Sequence, residues 1–163
     1  MPMRPVEEVD LKGQEFRKGT AITHAYVALL ASCHPLSLID GAPIDIEGSL
    51  SWENQREFHH IFSKAYLATS SEQLRDLQSD IANIMLLPSS TNKQISSERP
   101  SVYMSRLRDQ HGAAAFDQIL ASNLIPRLED SGLLLDDFEY FLAVRLDFIV
   151  RKINELATAA KTD

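Results

Sequence analysis

Cysteine is nearly absent from this chain of 163 residues, and the one that occurs, Cys33, cannot form an internal disulfide. A zinc finger of the usual four-ligand kinds is excluded too, so any metal site must draw on His, Asn, Asp or Glu. Long apolar runs are also missing. None approaches the roughly 18 residues needed to cross a bilayer. The N-terminus, MPMRPVEEVDLKGQEFRKG, lacks the apolar stretch of a secretory signal. These absences together predict a soluble, cytoplasmic protein with no membrane partner. Positive charge is in deficit, at a formal net charge of -7 and a pI near 5.2. That balance argues against broad attraction to nucleic acid, which is driven by Lys and Arg displacing counterions. The deficit is uneven. Between Ser89 and Arg108, Lys93, Arg99, Arg106 and Arg108 face the single acid Glu98, a local surplus of three positive charges.

What remains is ordinary for a globular chain: 44% hydrophobic and 24% charged residues, at a length that suits one domain. Residues 1–18 are polar with two prolines and no sustained period, which reads as a tail or linker. The single domain is expected over residues 19–160. Thr20 is an N-cap candidate, and Ile22, Tyr26, Leu29, Leu30 and Cys33 follow at helical spacing before Pro35. Leu36 to Trp52 carries loop signals, with a short extended piece expected around Ile44 and Ile46.

Phe58 to Ile61 suits a brief strand, and Lys64 to Gln78 has helix-forming composition. Ile81 to Leu87, apolar except for Asn83, reads as a buried strand able to pair with the first. Ser89, Ser90 and Thr91 can cap a short helix that ends at Arg99-Pro100. Residues 101–160 are helical by pattern. They close on a long amphipathic element opened by Asp136 and Asp137, with Phe138, Leu142, Leu146, Ile149, Ile153 and Leu156 on one face. The expected class is α+β, mainly α, with a motif core at residues 55–100 and C-terminal helices at 101–160.

Chemistry points to the adjacent pair His59-His60, since imidazoles ligate transition metals and accept protons near neutral pH. Neighbours on a regular strand point to opposite faces, so both serve one site only where the strand ends or twists. Surface or core histidines without catalytic duty are the plainer alternative. Asn83, an amide in an apolar run, calls for buried hydrogen-bond partners, and the backbone carrying His60 is one candidate. Asn92 follows nine residues later, where its amide oxygen can act as a hard ligand. Both asparagines have structural alternatives: a turn cap for Asn83, a helix-start residue for Asn92.

In order and spacing, EFHHIFSKAYL, IANIMLL and TNKQISSERPS resemble the HNH nucleases of the ββα-metal, or His-Me finger, type. The resemblance looks closer still to the C-terminal nuclease domain of GmrSD-type modification-dependent restriction enzymes, and it spans roughly Thr20 to Leu156. Asn92-Lys93, Ile95-Ser96, Pro100-Ser101 and the late FEYFLAVRLDFIVRKINEL segment add to it. It implies a ββα-metal hairpin and helix embedded in an α-helical domain. Carried over residue by residue, it makes His60 the general base, Asn83 the catalytic asparagine that holds the base loop, and His59 and Asn92 the metal ligands. Ser63 departs from the family, which usually has proline there. The Asp-Gly-Gln-Gln-Arg motif of the nucleotide-hydrolysing domain that normally precedes these nucleases is absent, so a C-terminal part of a longer protein or a stand-alone relative is expected. Such an N-terminal domain, or a chain carrying it, is an expected partner beside DNA.

The implied activity is metal-dependent DNA endonuclease, hydrolysing phosphodiester bonds within a restriction or phage-defence system. One divalent ion is expected as cofactor: Mg²⁺, Mn²⁺, Ni²⁺ or Co²⁺, with the imidazole ligand favouring the last three over Mg²⁺. Lys93, Arg99 and Arg106, with Arg108, are candidate contacts to DNA phosphates, or an ordinary solvated helix face. Glu57 is a further candidate carboxylate on the side of His59, or else a solvated edge charge. Tyr103 and Trp52 could stack on a base but suit core packing better. The alternative function is a noncatalytic HNH-like module that binds DNA or protein.

Overall fold

The computed structural model describes residues 4–44, 58–87, 95 and 97–160. Two short strands, β1 (Phe58–His60) and β2 (Ile84–Leu86), pair antiparallel with His59 opposite Met85 and His60 opposite Ile84. Helices make up most of the rest. Before the hairpin come α1 (Glu8–Leu11) and α2 (Ala21–Ser32). Inside it lie α3 (Lys64–Leu67) and α4 (Glu72–Asp76), and after it α5 (Pro100–His111), α6 (Ala113–Ser122) and α7 (Phe138–Ala159). The architecture is mainly helical with one small antiparallel sheet. Among the described residues, no helix is long and apolar enough to cross a membrane.

The helix boundaries follow local chemistry. Thr20 caps α2 by accepting from the Thr23 N–H, and the helix stops short of Pro35. Asp137 caps α7 at the Tyr140 N–H, 3.0 Å away. Its neighbour Asp136, read from sequence as part of the same cap, turns instead to α5 and takes the Ser101 N–H and hydroxyl at 2.8 and 2.7 Å. Gly112 separates α5 from α6 at φ 83, a left-handed conformation that costs glycine little.

β2 explains its own apolar run. Alternate side chains on a strand face opposite ways, and here both faces are buried. Met85 joins a core built from Ile61, Phe62, Tyr103, Met104, Phe116, Phe138 and Phe141. Ile84 and Leu86 join a second one with Leu11, Tyr26, Leu30, Leu146 and Ile149. α7 spans both, giving Phe138 and Phe141 to the first and Leu146, Ile149 and Val150 to the second. Of the stripe expected on this helix, Leu142 and Ile153 are only half-buried and Leu156 is exposed.

Three expectations are corrected. Residues 4–18 are not a free tail: Phe16 packs against Tyr26 and Phe58, Glu15 bridges to Asp80, and Asn154 of α7 exchanges two hydrogen bonds with Val6. Only the Phe16 contacts are made by an apolar side chain, and the others run through backbone, so they leave no periodic signal. Lys64 to Gln78 is two helical turns rather than one helix, because Ser63 and Ser71 each cap a new start. Ile81 to Leu87 is not all strand either. Asp80 accepts from the Ala82 N–H and tightens Ile81–Asn83 into a 3₁₀ turn, so Asn83 lies just ahead of β2. Of the short helix expected from Ser89 to Arg99, residues 95 and 97–99 are described, as turn or irregular chain, and its start lies outside the described residues, as does Ile46 of the expected extended piece.

Candidate functional site

β1 ends at His60, and the chain then passes through Ile61 and Phe62, both buried, into the cap residue Ser63. What fixes this exit is Asn83. Its side chain is fully buried, its Oδ1 accepts from the Phe62 N–H at 2.9 Å, and its Nδ2 donates to the Phe62 carbonyl at 3.1 Å. The same Nδ2 donates to the Gln78 carbonyl at 2.8 Å, and the Asn83 carbonyl accepts from the Ile61 N–H at 2.8 Å. One residue therefore grips both sides of the peptide chain two positions beyond the histidine pair. Tyr103 adds a further tie from α5, its hydroxyl donating to the Ile61 carbonyl at 2.9 Å.

The ending of β1 answers the geometric objection to adjacent histidines. His59 and His60 line one cleft of about 300 Å³, together with Ile61, Ser63, Lys64, Ile95, Glu98 and Tyr103. His60 is half-buried, and its Nε2 is enclosed with no hydrogen-bond partner among the described residues. Burial pushes the imidazole down to about 4, helped by the positive charge of Lys64 and by His59. The ring is thus neutral at pH 7.

The remaining candidates divide. Asn92 and Lys93, with Glu57 and Trp52, lie outside the described residues. Arg99 is exposed immediately before α5. Arg106, on α5, forms an ion pair with Glu98 at 2.8 Å, which ties a candidate phosphate contact to a carboxylate on the cleft wall. Arg108 approaches Asp109 at 3.8 Å. Tyr103 is a core residue, the role that suits its ring better than stacking on a base. His111 is structural, its Nε2 3.0 Å from the Leu38 carbonyl, while His24 and His34 are exposed. Among the described residues, no three His, Cys, Asp or Glu side chains converge as a metal-holding group.

Two cleft residues escaped the sequence reading, Lys64 and Glu98. Lys64 lies four positions after His60, near enough for the chain's exit from β1 to have suggested it. A third omission is Arg145. It is completely buried on α7 and donates to the carbonyls of Leu124, Ala82 and Asn123 and to the Tyr26 hydroxyl, at 2.8 to 3.0 Å. Its bond to Ala82 braces the residue next to Asn83. A cationic residue inside an apolar helical stripe was the available signal. Compared with models of known families, with curated proteins and with solved structures, the chain matches none of them.

Proposed function

We propose that this chain is a metal-dependent DNA endonuclease domain of the HNH type, cutting phosphodiester bonds in the cytoplasm as part of a restriction or phage-defence system. The observation that carries the reading is the Asn83 clamp: a buried amide fastens the backbone just beyond a histidine pair, both members of which line one cleft. A side chain held in this way supports catalysis by keeping a base in a fixed position, since small displacements of reacting groups reduce rates sharply.

His60 is the general base. Its neutral ring accepts a proton from the attacking water, and the negative phosphate raises its proton affinity as substrate enters. His59 and the Asn92 amide would hold the divalent ion, a reading supported by His59 lining the same cleft as the base. That ion would supply charge stabilisation at the phosphate and at the departing 3′ oxygen. Two neutral protein ligands make a weakly held site, better suited to Mn²⁺, Co²⁺ or Ni²⁺ than to Mg²⁺. Arg99, Arg106 and Lys93 would meet flanking phosphates, Arg106 by exchanging Glu98 for the DNA.

Purified protein incubated with supercoiled plasmid and Mn²⁺ or Mg²⁺ is expected to nick or linearise it, with His60→Ala reducing the rate at least about 100-fold. Equal cleavage by that variant rejects the base. A second reading, a noncatalytic HNH-like module that binds DNA or protein, draws on the low proton affinity of His60 and on Glu98, whose charge opposes an incoming phosphate. DNA affinity without cleavage under any of the four metals selects it.

A further inference from the structure

The cleft wall carries one cation among the described residues, Lys64, and its surroundings differ from those of Arg106 and Arg108 on α5. Arg106 is engaged by Glu98 and Arg108 lies near Asp109, whereas Lys64 forms no ion pair with any described carboxylate. It is exposed, so its ammonium is hydrated and open to an anion. Its backbone is nevertheless well fixed. Ser63 before it caps the α3 turn through the Tyr66 N–H, Phe62 is held by Asn83 and packed against Phe138 and Phe141, and Leu67 is buried. A positive charge with no ion pair among the described residues, carried on a well-held stretch of backbone beside two histidines in a chain of net charge -7, is a place for a phosphate.

We propose that Lys64 is the phosphate-binding residue of the cleft, contacting a nonbridging oxygen of the phosphodiester that the histidine pair faces. The assignment rests on the endonuclease reading. It adds to that reading the residue that brings the substrate's charge to His60. Among the described residues, the titratable groups that line the cleft with Lys64 are His59, His60, Glu98 and Tyr103; of these Glu98 is the one carboxylate, and it is engaged by Arg106.

The test compares unaltered protein, Lys64→Ala and Lys64→Arg in two assays. In the first, each is titrated onto a fluorescent DNA duplex in EDTA over a range of salt concentrations. In the second, each cuts plasmid with Mn²⁺. Lys64→Ala is expected to lower the magnitude of the slope of log K against log salt by about 0.9, one phosphate contact, while Lys64→Arg keeps it. An unchanged slope in Lys64→Ala alongside intact cleavage overturns the assignment and leaves the endonuclease standing. The expected change in slope without cleavage by any of the three supports Lys64 and rejects catalysis. Neither binding nor cleavage by unaltered protein overturns both.

Discussion

A carboxamide offers one acceptor and two donor hydrogens, and at position 83 the oxygen and the nitrogen are both engaged with backbone. Replacing it with alanine would leave the Phe62 N–H and the Phe62 and Gln78 carbonyls without these partners in a buried setting. Each such loss costs about 1–3 kcal/mol, so with three groups affected Asn83→Ala is expected to destabilise the protein by at least about 3 kcal/mol, read as a lower urea midpoint at constant m. Asn83→Asp should be worse. A carboxylate cannot donate to the two carbonyls it would face, and its charge would be enclosed. The need for a partnered amide was legible in the sequence, because an asparagine alone in an apolar run is carried into the interior with its neighbours and must find hydrogen bonds there. The details of the pairing were not: that Oδ1 meets Phe62 rather than the histidine itself depends on a turn that Asp80 creates.

At the scale of elements, the long helix does more than pack. Arg145 lies where α7 passes from one core to the other, and its guanidinium gathers four acceptors from α2, the turn before β2 and the segment after α6. Arg145→Met keeps the length and apolar stem but removes every donor. It should cost more than about 4 kcal/mol, enough to reduce the soluble yield or shift the urea midpoint well below that of Asn83→Ala. Periodicity and capping made two helices readable at their ends: α2 starts after Thr20 and stops short of Pro35, and α7 starts at its cap Asp137. Short elements were less readable. Ser63 and Ser71 are common residues whose capping role depends on where the chain turns, and the N-terminal α1 is held mainly by tertiary contacts.

For the molecule as a whole, acid should weaken the fold in a window that one histidine defines. His60 is held at about 4 in the folded state against an ordinary 6.5, so the unfolded chain binds more protons between those values. Its contribution is complete above pH 6.5 and is lost as pH falls toward 4. Asp80 acts in the opposite sense, since burial raises its carboxyl above the ordinary value and favours the protonated fold. That effect opposes the loss as pH falls. The expected result is a melting temperature that declines from pH 6.5 to 4, with a shallower decline in His60→Gln; parallel curves would remove His60 as the cause. The overall class, helices around one hairpin, followed from local patterning. The convergence of residues 4–18, the 3₁₀ turn and α7 did not, because contacts at such sequence separation leave no period to read.

Two neighbouring residues are restrained from different directions: Ala82 by a guanidinium reaching across from α7, Asn83 by its own reach to the opposite arm of the hairpin. Sliding one arm past the other by a single position would turn the side chains of the sliding arm to the opposite face, and each restraint opposes that slide independently. The alignment of His59 with Met85 is therefore specified twice, by chemistry that neither histidine takes part in. Substitutions at the two imidazoles can alter reactivity while the alignment of the arms persists.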